Sequence, residues 1–315
     1  MKLVFMGTPD FAVGTLQEIV KAGHEVVGVV TQPDRPKGRG KNLQPTPVKA
    51  AAQELGLTIY QPKSIKAPEF VETLRQLQPE AIVVVAFGQL ISREILEIPP
   101  HGCLNVHASL LPKYRGAAPV QWAVLCGEKE SGVTVMRMDE GLDTGDMLAK
   151  ESVLLEPDET GGSLFEKLSV LGARLLAETL GKLERGEIFA ESQPADSPTP
   201  YAAMIQKSMG CVDWQKDAEE IERLTRGLDP WPGTFTHFKG KNLKIFKVRI
   251  YNLDIPKSWE EAVPGQVVDA NEEGIYVKCR RGYLRIEELQ LEGKKRMPAA
   301  DFLRGCRIDA GDILG

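Results

Sequence analysis

Leu3–Met6 is a short apolar run that stops at Gly7-Thr8-Pro9-Asp10. Ala12, Leu16, Ile19 and Val20 then recur at helical spacing, and Gly23 stands where a helix C-cap belongs. A β-branched run follows within Glu25–Thr31, a helix is predicted near Val48–Leu55, and Thr58–Tyr60 gives a third short strand. Pro68–Leu77 reads as a helix and Ala81–Ala86 as a wholly apolar strand. Cys103–His107 and Ser131–Met138 read as further strands, and Leu164, Leu168, Leu171 and Leu175 mark a long amphipathic helix ending near Gly186. Continuous apolar strands that alternate with helices predict an α/β fold on a doubly wound, mostly parallel, Rossmann-like sheet.

Gln193–Pro200 carries three prolines in eight residues, which predicts a stiff linker that cannot join a sheet ladder. Beyond it a helical piece at Ala218–Gly227 precedes short alternating segments at Leu243–Ile250, Gly265–Asp269, Gly274–Cys279 and Tyr283–Gln290. That pattern predicts a small OB-like β-barrel. The expected division is an α/β domain over 1–189, a linker over 190–206 and a C-terminal barrel over 207–315.

Composition narrows the class. The 315 residues are 42% hydrophobic and 26% charged, ordinary for a globular protein, which excludes a disordered chain, a collagen or a membrane bundle. Cys103, Cys126, Cys211, Cys279 and Cys306 are scattered and odd in number, so neither a disulfide framework nor a zinc ribbon is expected. No signal peptide and no run of about 18 apolar residues is visible, so a cytoplasmic protein without membrane contact is expected. The net charge of −5 argues against general polyanion binding, but it is unevenly spread. Residues 1–205 carry −6, whereas 206–315 carry +1. Lys239, Lys241, Lys244, Lys247 and Arg249 fall in an acid-free window, and Lys278–Arg296 forms a second basic cluster. A barrel so charged suits a phosphate backbone, with an ordinary solvated surface as the plain alternative.

Three stretches carry chemistry. Asn105 and His107 lie two apart on a predicted strand, so both point to one face at its carboxyl end. An imidazole moves protons near neutral pH and an amide can donate to a developing oxyanion. The alternative is a buried polar pair that shapes the next turn. A metal held by Cys103 or His101 with His107 lacks further ligands. In Asp139-Glu140-Gly141-Leu142-Asp143-Thr144-Gly145-Asp146 the glycines permit positive φ, and Asp143 could orient a histidine or polarise a water; local turn-capping is the alternative. The loop Gln32–Pro45 hangs over the same strand ends with Arg35, Lys37, Arg39 and Lys41 among prolines and glycines, a composition suited to docking phosphate. Gly7-Thr8-Pro9-Asp10 is not the G-x-G-x-x-G fingerprint, which disfavours a nicotinamide dehydrogenase.

Gly7-Thr8-Pro9-Asp10-Phe11, Gln32-Pro33-Asp34-Arg35-Pro36, Asn105-Val106-His107 with Ser109-Leu110-Leu111-Pro112, Arg115-Gly116-Ala117-Ala118-Pro119 and Gly141-Leu142-Asp143-Thr144-Gly145 together resemble the methionyl-tRNA formyltransferase family. Val212-Asp213-Trp214 and Pro230-Trp231-Pro232 extend the resemblance to the second half. It implies a catalytic domain at 1–189 and a tRNA-binding barrel at 207–315. It also implies formyl transfer from 10-formyltetrahydrofolate to the α-amine of methionyl initiator tRNA; no metal is expected, and since no long apolar edge suggests an obligate dimer, a monomer is expected. On this resemblance Asn105 and protonated His107 stabilise the oxyanion, and Asp143 orients His107 and helps remove the amine proton through water. Ser109, Leu110, Leu111 and Pro112 line the folate pocket, and Lys37, Arg39 and Lys41 enter the acceptor end of the tRNA. Met204–Gly210 is less charged than the family's usual stretch there. A formyltransferase for a small amine would share the trio but have less use for the basic loop, and an idle RNA-binding protein would have no use for the trio.

Overall fold

Strands that are apolar on both faces need helices on both faces, and the first half of the chain supplies them. The structure, a computed structural model, describes residues 1–37, 42–253 and 255–315. Its first elements run β1 (Lys2–Gly7), α1 (Phe11–Lys21), β2 (Glu25–Val30), β3 (Arg35–Lys37), β4 (Asn42–Gln44), α2 (Pro47–Glu54), β5 (Ile59–Tyr60), α3 (Pro68–Leu77) and β6 (Ala81–Val85). They continue as α4 (Arg93–Leu96), β7 (Cys103–His107), α5 (Pro119–Leu125), β8 (Glu130–Arg137), β9 (Met147–Leu154) and α6 (Gly161–Glu184). The seven-stranded sheet has the order β5-β2-β1-β6-β7-β8-β9. Strands β5 to β7 are parallel, and β8 and β9 add an antiparallel edge.

Val4, Met6, Val30, Ile82 and Val84 cover one face and pack with Phe70, Val71 and Leu74 of α3. Helix α2 starts where Pro47 needs no N–H partner and the Thr46 hydroxyl accepts from Lys49 N. The edge strand β9 begins with two buried residues and then alternates half-buried and exposed ones. The sequence reading has no element there, nor at β3, β4, α4 and α5.

The chain divides into two compact units. The first comprises Met1–Pro119, Glu130–Leu154 and Phe165–Ala202; the second comprises Val120–Lys129, Leu155–Leu164 and Ala203–Gly315. This division is discontinuous, unlike the expected single boundary. The proline-rich stretch is no free linker: Glu191 pairs with Met147, Ala202 bridges Gly116, the Thr199 hydroxyl accepts from Tyr114 N and the Ser197 hydroxyl donates to Pro112 O. Proline barred it from a long ladder, but single bonds bind it to the first unit along its length.

In the second unit α7 (Ala218–Gly227) precedes β10 (Thr234–Phe238), β11 (Lys241–Tyr251), β12 (Val267–Asn271), β13 (Gly274–Lys278), β14 (Tyr283–Leu291), β15 (Met297–Pro298) and α8 (Ala299–Gly305). All the pairings are antiparallel, in the order β10-β11-β14-β13-β12, with β15 on β14. Among the described residues no ladder joins β12 to β10, so the expected small OB-like barrel is antiparallel and partly open there. Its core gathers Leu243, Ile245, Ile275, Val277, Leu284, Ile286 and Leu289, with Trp214 and Phe302. The N-terminal turn of α7 is fixed by Asp217, which caps the helix and accepts from both Arg280 and Arg281. Those two guanidinium groups hold its carboxyl well below the usual range.

Candidate active site

β7 runs alongside β6 with Asn105 opposite Val84, and antiparallel to β8 with His107 opposite Thr134. Its alternation sends Asn105 and His107 to one face, as the spacing requires. Both border a cavity of about 470 Å³ in the first unit. Val84, Ala86, Phe87 and Met138 supply apolar wall, Phe165 and Pro9 close it, and Asp143 faces the same space. The cavity therefore lies at the carboxyl ends of the parallel strands.

The three polar groups are held differently. The His107 ring is buried, and its Nε2 lies 3.0 Å from the Tyr114 carbonyl. A carbonyl only accepts, so Nε2 carries the hydrogen and Nδ1 is the nitrogen on the Asp143 side. Nδ1 and Asp143 Oδ1 are 3.7 Å apart. That is ion-pair distance rather than hydrogen-bond distance, so the Tyr114 carbonyl holds the imidazole by a hydrogen bond while Asp143 lies beside it. Asp143 Oδ2 accepts from Gly116 N at 2.9 Å. Among the described residues the Asn105 amide has no protein partner, which leaves its hydrogens for a ligand.

Backbone strain gathers here. Ala86, Tyr114 and Asp143 all have positive φ, three of the five such non-glycine residues described. Within the acidic loop it is Asp143 that takes φ +56°, while Gly141 and Gly145 do not take positive φ. Gly145 serves close approach instead, since a side chain there would collide with the Arg137 carbonyl. Gly116, at φ +132°, has room for no Cβ: one would sit 2.6 Å from the Ala202 oxygen.

Ser109–Pro112 form the turn after β7. Ser109 and Leu111 are buried, and Thr134 Oγ1 donates to Ser109 O and accepts from Leu111 N at 2.7 and 3.0 Å. These four residues, expected to line the folate pocket, follow directly on Ala108, which borders the cavity. Arg39 and Lys41 lie outside the described residues, and Lys37 ends β3. The stem of that loop is firmly set. Asp34 accepts from Lys49 at 2.6 Å and Gln61 at 2.8 Å, which keeps its carboxyl below the usual range. Next to the first cavity a second one of about 450 Å³ runs along this stem, between Pro33, Pro36, Pro45 and Pro47, and shares Pro9, Ala86, Phe87 and Gly88 with it. Burial pushes the Cys103 thiol up to about 12, and its Sγ faces the Ile95 carbonyl at 3.8 Å. Among the described residues no group of three His, Cys, Asp or Glu could hold a metal.

The basic clusters of the second unit are mostly spent internally. Lys247 and Arg249 pair with Glu287, Arg285 with Glu273 and Glu287, Arg296 with Glu288, Lys239 with Asp312 and Arg280 and Arg281 with Asp217. Lys241, Lys244, Lys294 and Lys295 have no ion-pair partner among the described residues. Leu243 lies opposite Leu291, so Lys241 comes near the turn that carries Lys294 and Lys295.

Tyr114, Arg115 and Gln193 join the site without a signal in the linear pattern. Arg115 belongs to a family motif that assigns it no role, and Gln193 opens the proline-rich stretch with no periodicity to mark it.

Comparison with known proteins agrees with the geometry. A family model described as "Formyl transferase" matches residues 1–180, and one described as "Formyl transferase, C-terminal domain" matches 204–307. A methionyl-tRNA formyltransferase of Lachnospira eligens is 53% identical over 315 residues, covering all of both chains. One of Geobacter metallireducens is 50% identical over 315 residues, covering 100% of this chain and 99% of its own. Among solved structures, an N-formyltransferase from Helicobacter canadensis with folinic acid and dTDP-3-aminofucose gives a TM-score of 0.65 at 18% identity, covering 91% of this chain and 98% of that one. HypX from Aquifex aeolicus with tetrahydrofolic acid gives 0.63 at 20%, covering 98% and 48%. These two likenesses establish the fold.

Proposed function

Because the chain belongs to the methionyl-tRNA formyltransferase family, we propose that Asn105, His107 and Asp143 carry its transfer of a formyl group from 10-formyltetrahydrofolate to the α-amine of methionyl initiator tRNA. The observation that carries this reading is the single cavity bordered by all three side chains. The formyl donor fits it: a flat heterocycle suits walls made of Val84, Ala86–Phe87 and Met138, with Gln89, Asn105, His107 and Asp143 as polar groups. Bound there, the folate supplies the formyl carbon. Ser109–Pro112, the turn that follows His107, line the folate site, largely through backbone contacts and the apolar Leu side chains.

The chain's own groups divide the remaining work. As the amine adds to the formyl carbon, charge grows on the formyl oxygen. The unpartnered amide of Asn105 donates to that oxygen, and His107, protonated at Nδ1, gives it a second donor. The Tyr114 carbonyl holds the imidazole at Nε2, so the ring cannot turn away. Asp143, fixed through Oδ2, keeps Oδ1 free to stabilise the imidazolium and to take the amine proton through a water; as the tetrahedral carbon collapses, its bond to the donor nitrogen breaks and that nitrogen leaves with the proton. No step requires a covalent enzyme intermediate.

The cleft beside the loop stem receives the aminoacylated end of the tRNA, and Lys37, Arg39 and Lys41 contact its acceptor stem. The unpaired Lys241, Lys244, Lys294 and Lys295 take phosphates further along. No helix among the described residues is long and apolar enough to cross a membrane. We assign the protein to the cytoplasm as a monomer, a state that sedimentation at micromolar concentration checks. The function is tested by formyl transfer to charged initiator tRNA against free methionine and small amines. Selective turnover of the tRNA supports it, and equal turnover of a small amine refutes it.

A further inference from the structure

Residues 114–116 touch both catalytic side chains at once, the Tyr114 carbonyl on His107 and the Gly116 N–H on Asp143. Between them the buried Arg115 guanidinium engages the proline-rich strap. Its Nε and Nη2 donate to Gln193 Oε1 at 3.0 and 2.9 Å, Nη1 donates to Ala195 O at 3.0 Å, and Nη2 also donates to Pro194 O at 2.7 Å. Gln193 Nε2 in turn donates to the carbonyls of Asp143 and Gly145 at 2.9 and 2.7 Å. Both hydrogens and both lone pairs of the Gln193 amide are therefore used.

Only an amide meets these demands. A carboxylate of the same shape keeps the Arg115 contacts, now charge-assisted, but sets a negative oxygen against two carbonyl oxygens. Asp143 holds a left-handed backbone conformation, which an L-residue keeps only where its surroundings impose it. The Gln193 bonds reach that backbone directly, while Gly116 holds the carboxylate.

We propose that Gln193, itself held by Arg115, is a positioning residue for the formyl transfer: by clamping the carbonyls of Asp143 and Gly145 it fixes the Asp143 carboxylate beside His107. This rests on the assignment of Asp143 to the reaction. The test is steady-state kinetics on purified Gln193→Glu and Gln193→Met, with Asp143→Asn in parallel and rates taken per folded protein. Both Gln193 variants are expected to lose at least about tenfold in kcat, with KM for either substrate moving less than about threefold. Gln193→Glu is expected to keep a near wild-type Tm because Arg115 stays paired, so it carries the test even where Gln193→Met fails to fold. A slow Asp143→Asn beside Gln193→Glu at full kcat overturns this inference alone. A raised KM at unchanged kcat overturns it too, since it marks a residue that shapes the cavity. Full activity of Asp143→Asn overturns the catalytic assignment on which it rests.

Discussion

Asp143 Oδ1 stands 3.7 Å from His107 Nδ1 with no hydrogen bond between them. Each group is anchored by backbone on its far side, His107 by the Tyr114 carbonyl and Asp143 by the Gly116 N–H. Their near sides are thus left to the cavity, from which a water can bridge them. For that reason the carboxylate's charge matters more than its bonding to the ring. Asp143→Asn keeps an oxygen for Gly116 and loses the charge. Its kcat is expected to fall by about 10²-fold or more with little change in Tm. Transfer at the wild-type rate would remove Asp143 from the chemistry.

Asn105→Ala deletes an amide that makes no bond among the described residues, so the folded state loses little. The transition state loses a donor, and kcat is expected to drop roughly 10²–10³-fold while KM for the formyl donor changes slightly. A loss confined to KM would recast Asn105 as a binding group.

Thr134 is fully buried, and its hydroxyl joins Ser109 O to Leu111 N. Thr134→Val keeps the shape and leaves both backbone groups unpaired, at a cost of about 1–3 kcal/mol each at most. Thermal unfolding should show a lowered Tm, and activity should fall with it as the turn behind His107 loosens. An unchanged Tm would mean that the turn is held elsewhere.

Lys241, Lys244, Lys294 and Lys295, without ion-pair partners among the described residues, should bind RNA and the paired arginines should not. Replacing Lys241, Lys244, Lys294 and Lys295 by Gln is expected to raise KM for charged tRNA. It should also flatten its dependence on salt by up to about one unit of log–log slope for each phosphate that is no longer neutralised. Arg39→Ala should raise the same KM without altering that for the formyl donor. An unchanged salt slope in the quadruple variant would exclude this patch from the complex.

Asp217 provides a pH test of the second unit. Its carboxyl is held below the usual range by hydrogen bonds from Arg280 and Arg281. A depressed folded pKa means stability that is complete above the unfolded value, near 4, and lost as pH falls through the folded one. The Tm of Asp217→Asn should therefore lie below wild type at neutral pH, with the gap closing as pH falls below about 4. A constant gap would show that the ion pairs contribute nothing through ionisation.

The sequence by itself determined the elements and the faces of the site strand. Apolar runs set β1, β2, β6 and β7, and the two-residue period of a strand put Asn105 and His107 on one side of β7 before any coordinate was needed. Period and punctuation are local, so they fix which way a side chain points. They do not fix what it meets. Only the packed sheet brought Asp143 to His107 and Gln193 to Asp143, across 36 and 50 residues of chain. Packing likewise turned a proline-rich stretch into a strap, because its single hydrogen bonds need partners that the linear pattern does not contain. The same holds for charge: Lys247, Arg249 and Arg285 look free along the chain, and folding sets them against the Glu287 carboxylate. Distances between loops belong to the tertiary structure, since they are set by which strands lie side by side.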